Sequence, residues 1–315
     1  MTAAALMRLA GPQWVLPPIF RDTARPVIGF VAGSAFTPMI VTAAMNWWQM
    51  APLLIAFMLA VTVMGQIYFR KICGFDRATA LFASMPGGLA EMLAQGGQFG
   101  ANIPKLVIVH SMRVFMVAAA IPFVLTATYR ADLAGTARPS VALGGDWTEW
   151  VFAAICICTG YLLGRRMKAL GGPMIAALLI SAIAHGGGYM DFVPPNWVIV
   201  AMQVVIGSVS GARFAGIRFS EALGVLVRGA FWTFVLLGLA GFAAAIAGQV
   251  LPMPPGAHFL AFAPGGFSEV TVIALAAGIE VAFVVSTHVL RTLYIYLSTP
   301  LLRHALAGRG SEDRP

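Results

Sequence analysis

Two carboxylates stand out in a chain that has few. Glu91 and Glu269 each lie three residues beyond a Pro-Gly-Gly triplet, Pro86-Gly87-Gly88 and Pro264-Gly265-Gly266. Downstream, each is followed by a His-x-x-Arg pair, His110/Arg113 and His288/Arg291, whose three-residue spacing puts both side chains on one helix face. Proline removes an amide donor and glycine frees the backbone, so a helix stops at each triplet and another starts. The second half-helix aims free amides and a positive dipole end into the break, which suits an anionic group. The glutamates can take up a coupling proton, hold a cation or cap their own half-helices. The histidines can pass protons near neutral pH. The arginines need a partner, either a repeat glutamate or an anionic substrate. The bland alternatives are tight helix packing at the glycines and a polar face that locks the helices together.

These residues must work at membrane depth. Of the 315 residues, 59% are hydrophobic and only 10% charged, and mean hydropathy is +0.85. Soluble domains carry about 25% charged residues, so a soluble enzyme and a disordered regulator are both excluded. The formal net charge of +8 comes from short gaps between apolar runs, at Arg21/Arg25, Arg70/Lys71/Arg77, Arg165/Arg166/Lys168 and Arg213/Arg218. That pattern marks cytoplasmic loops, and without a soluble basic module no nucleic-acid partner is expected. Cys73, Cys156 and Cys158 make no disulfide framework.

Eight segments are apolar enough to cross a bilayer: 26–45, 51–69, 103–126, 147–164, 172–190, 196–213, 220–249 and 281–302. Two more, 78–99 and 257–279, are interrupted by the triplets. Reading these two as re-entrant keeps the Arg165 cluster, Arg213/Arg218 and Arg303 on the side of the N-terminus. Both termini are then cytoplasmic, and Arg130 and Arg138 fall outside. The expected fold is an all-α polytopic bundle of about eight spans plus two broken, re-entrant helices.

The two sets of motif residues are copies. An ungapped offset of 178 residues, Glu91 to Glu269, also pairs Gly100 with Gly278, His110 with His288, Arg113 with Arg291, Pro122 with Pro300, and Ile28-Gly29 with Ile206-Gly207. Five spans separate the triplets, and an odd number inverts the second copy in the membrane. Inverted repeats with Gly/Pro-broken helices are a signature of secondary transporters. Asn102 and Glu280 share one repeat position and read as caps, while Arg228 reads as a cavity or snorkelling residue.

Two Pro-Gly-Gly-x-x-Glu segments, each followed by His-x-x-Arg, resemble the AbrB-type duplicated integral membrane protein family, over about residues 26–305. Members are labelled as ammonia monooxygenases or as AbrB-family regulators. The resemblance divides the chain into an N-terminal segment (1–25), a first repeat (26–138), a second repeat (145–305) and a polar tail (306–315). The first repeat lacks leading helices equivalent to 147–190. A multi-pass bacterial inner-membrane protein is implied, with lipid, a small solute and a coupling ion as partners, and with scope for a homo-oligomer.

The leading functional reading is a secondary transporter or permease for a small polar or anionic solute, with its site between the repeats. The candidate binding residues are Pro86, Gly87, Gly88, Glu91, His110, Arg113, Pro264, Gly265, Gly266, Glu269, His288 and Arg291. The alternatives are a membrane oxidoreductase, which five scattered histidines support weakly, and a membrane regulator of gene expression. No catalytic residue, metal site or cofactor is expected, and no nucleotide-binding loop appears.

Overall fold

In a computed structural model, the protein is described over residues 18–129, 146–166 and 172–307, except 196, 199, 203, 206, 207 and 209–218. The regular elements given for these residues are helices. They comprise α1 (Pro18–Gly33), α2 (Pro38–Ala44), α3 (Met50–Ile67), α4 (Arg77–Ser84), α5 (Leu89–Gln98), α6 (Ile103–Tyr129) and α7 (Trp147–Gly164). After these come α8 (Pro173–Gly186), α9 (Phe219–Val250), α10 (Pro255–Phe262), α11 (Phe267–Ala277) and α12 (Val281–Ala307).

Five helices are long and apolar enough to cross a membrane, spanning Trp47–Ile72, Ile103–Ala127, Trp147–Gly164, Leu223–Val250 and Val281–Ser298. This is fewer than the eight expected. Segment 26–45 is not one straight span: α1 begins at Pro18, ends at Gly33 and meets α2 at 84°. The bend arises because Thr37 is extended, its hydroxyl accepts a bond from the Ile40 amide, and Pro38 starts the new helix. Within 172–190, α8 has 14 residues, about 21 Å at 1.5 Å per residue, which is short of a hydrocarbon core of about 30 Å. Most of the expected span 196–213 lies outside the described residues, as do Arg8, Arg130, Arg138, Lys168, Arg213, Arg218 and the tail after 307.

The two triplets do interrupt helices. Segment 78–99 is the pair α4 and α5, and segment 257–279 is the pair α10 and α11. The residue before each proline, Met85 (φ −65°, ψ 127°) and Ala263 (φ −55°, ψ 132°), is extended, as the clash with a following proline ring demands. The duplication reaches the element boundaries: shifted by 178 residues, α4 coincides with α10 and α6 with α12. Gly100 (φ 74°) and Gly278 (φ 62°) are both left-handed, and the same six-residue bond closes each turn, Ala101 N–H to Gly96 O (2.9 Å) and Ile279 N–H to Ala274 O (3.1 Å).

Each copy packs its long helix on its own broken pair, α6 on α4 and α5, and α12 on α10 and α11. The copies then interlock, with α3 of the first against α12 of the second and α9 of the second against α6 of the first. A separate trio, α1, α7 and α8, meets through small residues. Gly29 and Gly33 of α1, and Gly160 and Gly164 of α7, all press on α8, and lipid-embedded helices approach this closely only where side chains are absent.

Candidate functional site

The breaks leave backbone carbonyls without helical partners, and the His-x-x-Arg helices supply donors for them. In an unbroken helix the Phe82 carbonyl would accept from the amide of residue 86, and Pro86 has none. The Nε2 of His110 stands 2.9 Å from the Phe82 oxygen and donates to it. One turn further on, Arg113 donates through Nη1 to the Met85 carbonyl (2.8 Å) and through Nη2 to that of Gly87. The second copy repeats each bond. His288 Nε2 meets the Leu260 oxygen at 2.9 Å, four residues before Pro264, while Arg291 reaches Ala263 O at 2.9 Å and Gly265 O at 2.7 Å. All four side chains are buried.

The roles expected of these residues therefore divide. The Nη groups of both arginines go to backbone carbonyls. Their Nε atoms, and the Nδ1 atoms of both histidines, are buried without a hydrogen-bond partner. The glycines at the breaks are required by space. A methyl group at Gly87 would lie 2.5 Å from Met92 Cε and 2.9 Å from Ile295 Cδ1, and one at Gly265 would lie 2.5 Å from Val270 Cγ2 and 3.2 Å from Val117 Cγ1.

The half-helix N-termini are occupied by their own glutamates. Glu91 Oε2 accepts from the Gly88 amide at 3.2 Å and closes a cap at the start of α5. Glu269 folds back over Gly266, where an added carbon would lie 2.1 Å from its Oε2, and it also accepts from the Ser268 hydroxyl at 2.9 Å. A carboxylate is the favourable charge at this end of a helix.

Contacts between the copies are reciprocal. Gly87 touches Ile295, and Gly265 touches Val117, the equivalent of Ile295. Each glutamate lies within electrostatic reach of both arginines, and the two glutamates, like the two arginines, are within reach of each other. The candidate residues thus converge on one seam as a quartet of two acids and two bases.

Three neighbours of this seam were not legible as such. Arg25 of α1, whose position reads as a cytoplasmic marker, lies in reach of Glu91, and Tyr296 and Gln95 hydrogen-bond beside that carboxylate. Gln95 lies one turn beyond Glu91 on its own helix, whereas no motif ties Arg25 or Tyr296 to that carboxylate and only the packing of α1 and α12 on the broken helices brings them there. Arg228 is exposed and donates through Nη1 to the Cys73 carbonyl at 3.2 Å. Asn102 caps α6, its Oδ1 accepting from Lys105 N–H at 3.1 Å. Among the described residues no group of three or more His, Cys, Asp or Glu gathers to hold a metal ion.

A family model described as "Transition state regulatory protein AbrB" matches residues 1–307. The chain belongs to the AbrB family. One similar AbrB-family relative is "Putative regulator AbrB" of Escherichia coli (strain K12), 23% identical over 309 residues, which cover 96% of this chain and 87% of the relative. Another is "Uncharacterized protein YhjN" of Bacillus subtilis (strain 168), 24% identical over 286 residues, covering 85% of this chain and 74% of that protein. No solved structure matches.

Proposed function

We propose that this AbrB-family chain is a secondary transporter or permease for a small polar or anionic solute, with its path along the seam between two inverted repeats. The observation that carries this reading is the reciprocal quartet Glu91, Arg113, Glu269 and Arg291 at the meeting of two broken helices. Charges at membrane depth mark solute and ion pathways by default, and paired discontinuous helices at a repeat interface are where transporters hold their substrates. Reciprocal contacts between the copies support a two-fold relation. Placing that axis in the membrane plane is the reading that goes with five intervening spans. Each half-helix end already holds a carboxylate, so a solute enters by replacing or neutralising a glutamate.

Purified protein in liposomes, challenged with a panel of small neutral and anionic solutes and followed by light scattering as the vesicles swell, tests this. At least one solute is expected to enter faster than into empty liposomes. The Glu91→Gln/Glu269→Gln double variant is expected to return its entry to the empty-liposome rate. Entry that is unchanged in the double variant, or no entry of any solute, would falsify the proposal. The regulatory name of the Escherichia coli relative fits a transporter whose solute level is read elsewhere in the cell.

A further inference from the structure

The quartet is symmetric in its charges but not in its surroundings. On the second copy both Gly266 and Glu269 are buried, the latter 8% exposed. On the first copy both Gly88 and Glu91 remain partly exposed, although Glu91 sits deep among helices. The next turn repeats the contrast: Gln95 of α5 bonds Tyr296 of α12 beside Glu91, whereas the equivalent positions beside Glu269 are Ile273 and Ala118. Glu91 thus has Arg25 and the Gln95–Tyr296 pair beside it, whereas Glu269 has the Ser268 hydroxyl, with Ile273 and Ala118 at the positions equivalent to Gln95 and Tyr296.

The groups facing Glu91 come from every element around it. They are Arg25 from α1, Arg291 and Tyr296 from α12, Glu269 from α11, and Gln95 and the Gly88 amide from its own helix. Arg291 is 3% exposed, donates both Nη groups to carbonyls and keeps Nε unpartnered within this cluster. A proton arriving on Glu91 removes one negative charge from the cluster. It also turns the acceptor of the Gly88 amide into a neutral carboxyl, which leaves the positive end of α5 free for another anion.

We propose that Glu91 is the proton-accepting carboxylate of the seam, and that Glu269 is its structural twin, folded over Gly266 at the start of α11 without exchanging protons. The step is a protonation of a Glu91 carboxylate oxygen by water-borne protons, with no other covalent bond changed. This deepens the transport reading by naming a proton as the coupling ion. The proton site is nonetheless testable on protein that holds no solute.

The probe is dicyclohexylcarbodiimide, a lipid-soluble reagent that takes up a protonated carboxyl across one C=N bond to give an O-acylisourea, which rearranges to a stable N-acylurea. Purified full-length protein in liposomes is treated across a pH series, and adducts are mapped by peptide mass spectrometry. Glu91 is expected to be labelled several-fold more than Glu269, with labelling falling as pH rises and the carboxyl ionises. Glu91→Gln removes the adduct, and Glu269→Gln leaves labelling at Glu91 in place. Equal labelling of both residues, preference for Glu269, absence of label on Glu91, or labelling independent of pH would each overturn the assignment, and mapping on the unaltered protein carries the result even if a variant fails to fold. Labelling of Glu91 without solute entry would remove the transport reading and leave the proton site standing, whereas solute entry without such labelling would do the reverse.

Discussion

Replacing Arg113 with methionine strongly destabilises the protein in the absence of any solute, and Arg291→Met does the same. Each arginine bridges two carbonyls that the adjacent proline and glycines have stripped of helical partners, Met85 and Gly87 in one copy and Ala263 and Gly265 in the other. Methionine fills much of the volume but donates nothing, and a buried polar group left unpaired costs about 1–3 kcal/mol. Two orphaned carbonyls per site therefore predict a loss of about 2–6 kcal/mol, read as a lower midpoint of thermal unfolding in detergent micelles. Lysine recovers only part of that loss, because a single ammonium on a flexible stem does not present the fixed fork that spans both oxygens. A purely solute-binding arginine gives the opposite outcome: unfolding of the solute-free protein is unchanged, and only uptake suffers. Unaltered midpoints for both methionine variants would rule out the clamp.

Gly29→Leu and Gly160→Leu disrupt the α1–α7–α8 trio, whereas Gly238→Leu is tolerated. A methyl carbon at Gly29 would lie 2.1 Å from the Met174 carbonyl oxygen, and one at Gly160 would lie 2.5 Å from the Ala177 Cα. In both cases the obstacle is the backbone of α8, which cannot swing aside as a side-chain tip does. Overpacking a core costs about 1–3 kcal/mol and sometimes more, and a clash with backbone belongs at the upper end. At Gly238, on α9, nothing lies within 4 Å, and leucine there also gains helix propensity. Gel filtration and thermal unfolding of the three variants in one detergent separate these cases. Equal behaviour of Gly29→Leu and Gly238→Leu would contradict the packing of α1 on α8.

Both results turn on a distinction between what lies along the chain and what lies across it. The doubling of Pro-Gly-Gly-x-x-Glu was visible in the residues, and the structure carries it to the boundaries of α4 and α10 and of α6 and α12. The breaks were visible for a local reason: a proline restricts its predecessor and withholds one amide, whatever surrounds it. The capping of α5 by Glu91, three residues beyond Gly88, is local in the same sense. The spacings Gly29-x-x-x-Gly33 and Gly160-x-x-x-Gly164 were equally present, and they are the signal that could have announced the trio. The bend between α1 and α2 was signalled by Thr37 and Pro38, although the apolar run passes through it.

By itself, the amino-acid sequence determined that this is a membrane chain made of two related halves, each with an interrupted helix and an acid one turn beyond the interruption. Composition, the repeat at a fixed offset and short-range backbone sterics carry those points. Tertiary structure decided what the histidines and arginines do, since Pro86 and the His110 that replaces its missing donor are 24 positions apart along the chain. It also decided that the acids and bases of the two halves meet at one seam, with Gln95 and Tyr296 beside Glu91 and Ser268 beside Glu269. Residue spacing records which side chains share a helix face. Which face meets which neighbour depends on the packing of every helix at once.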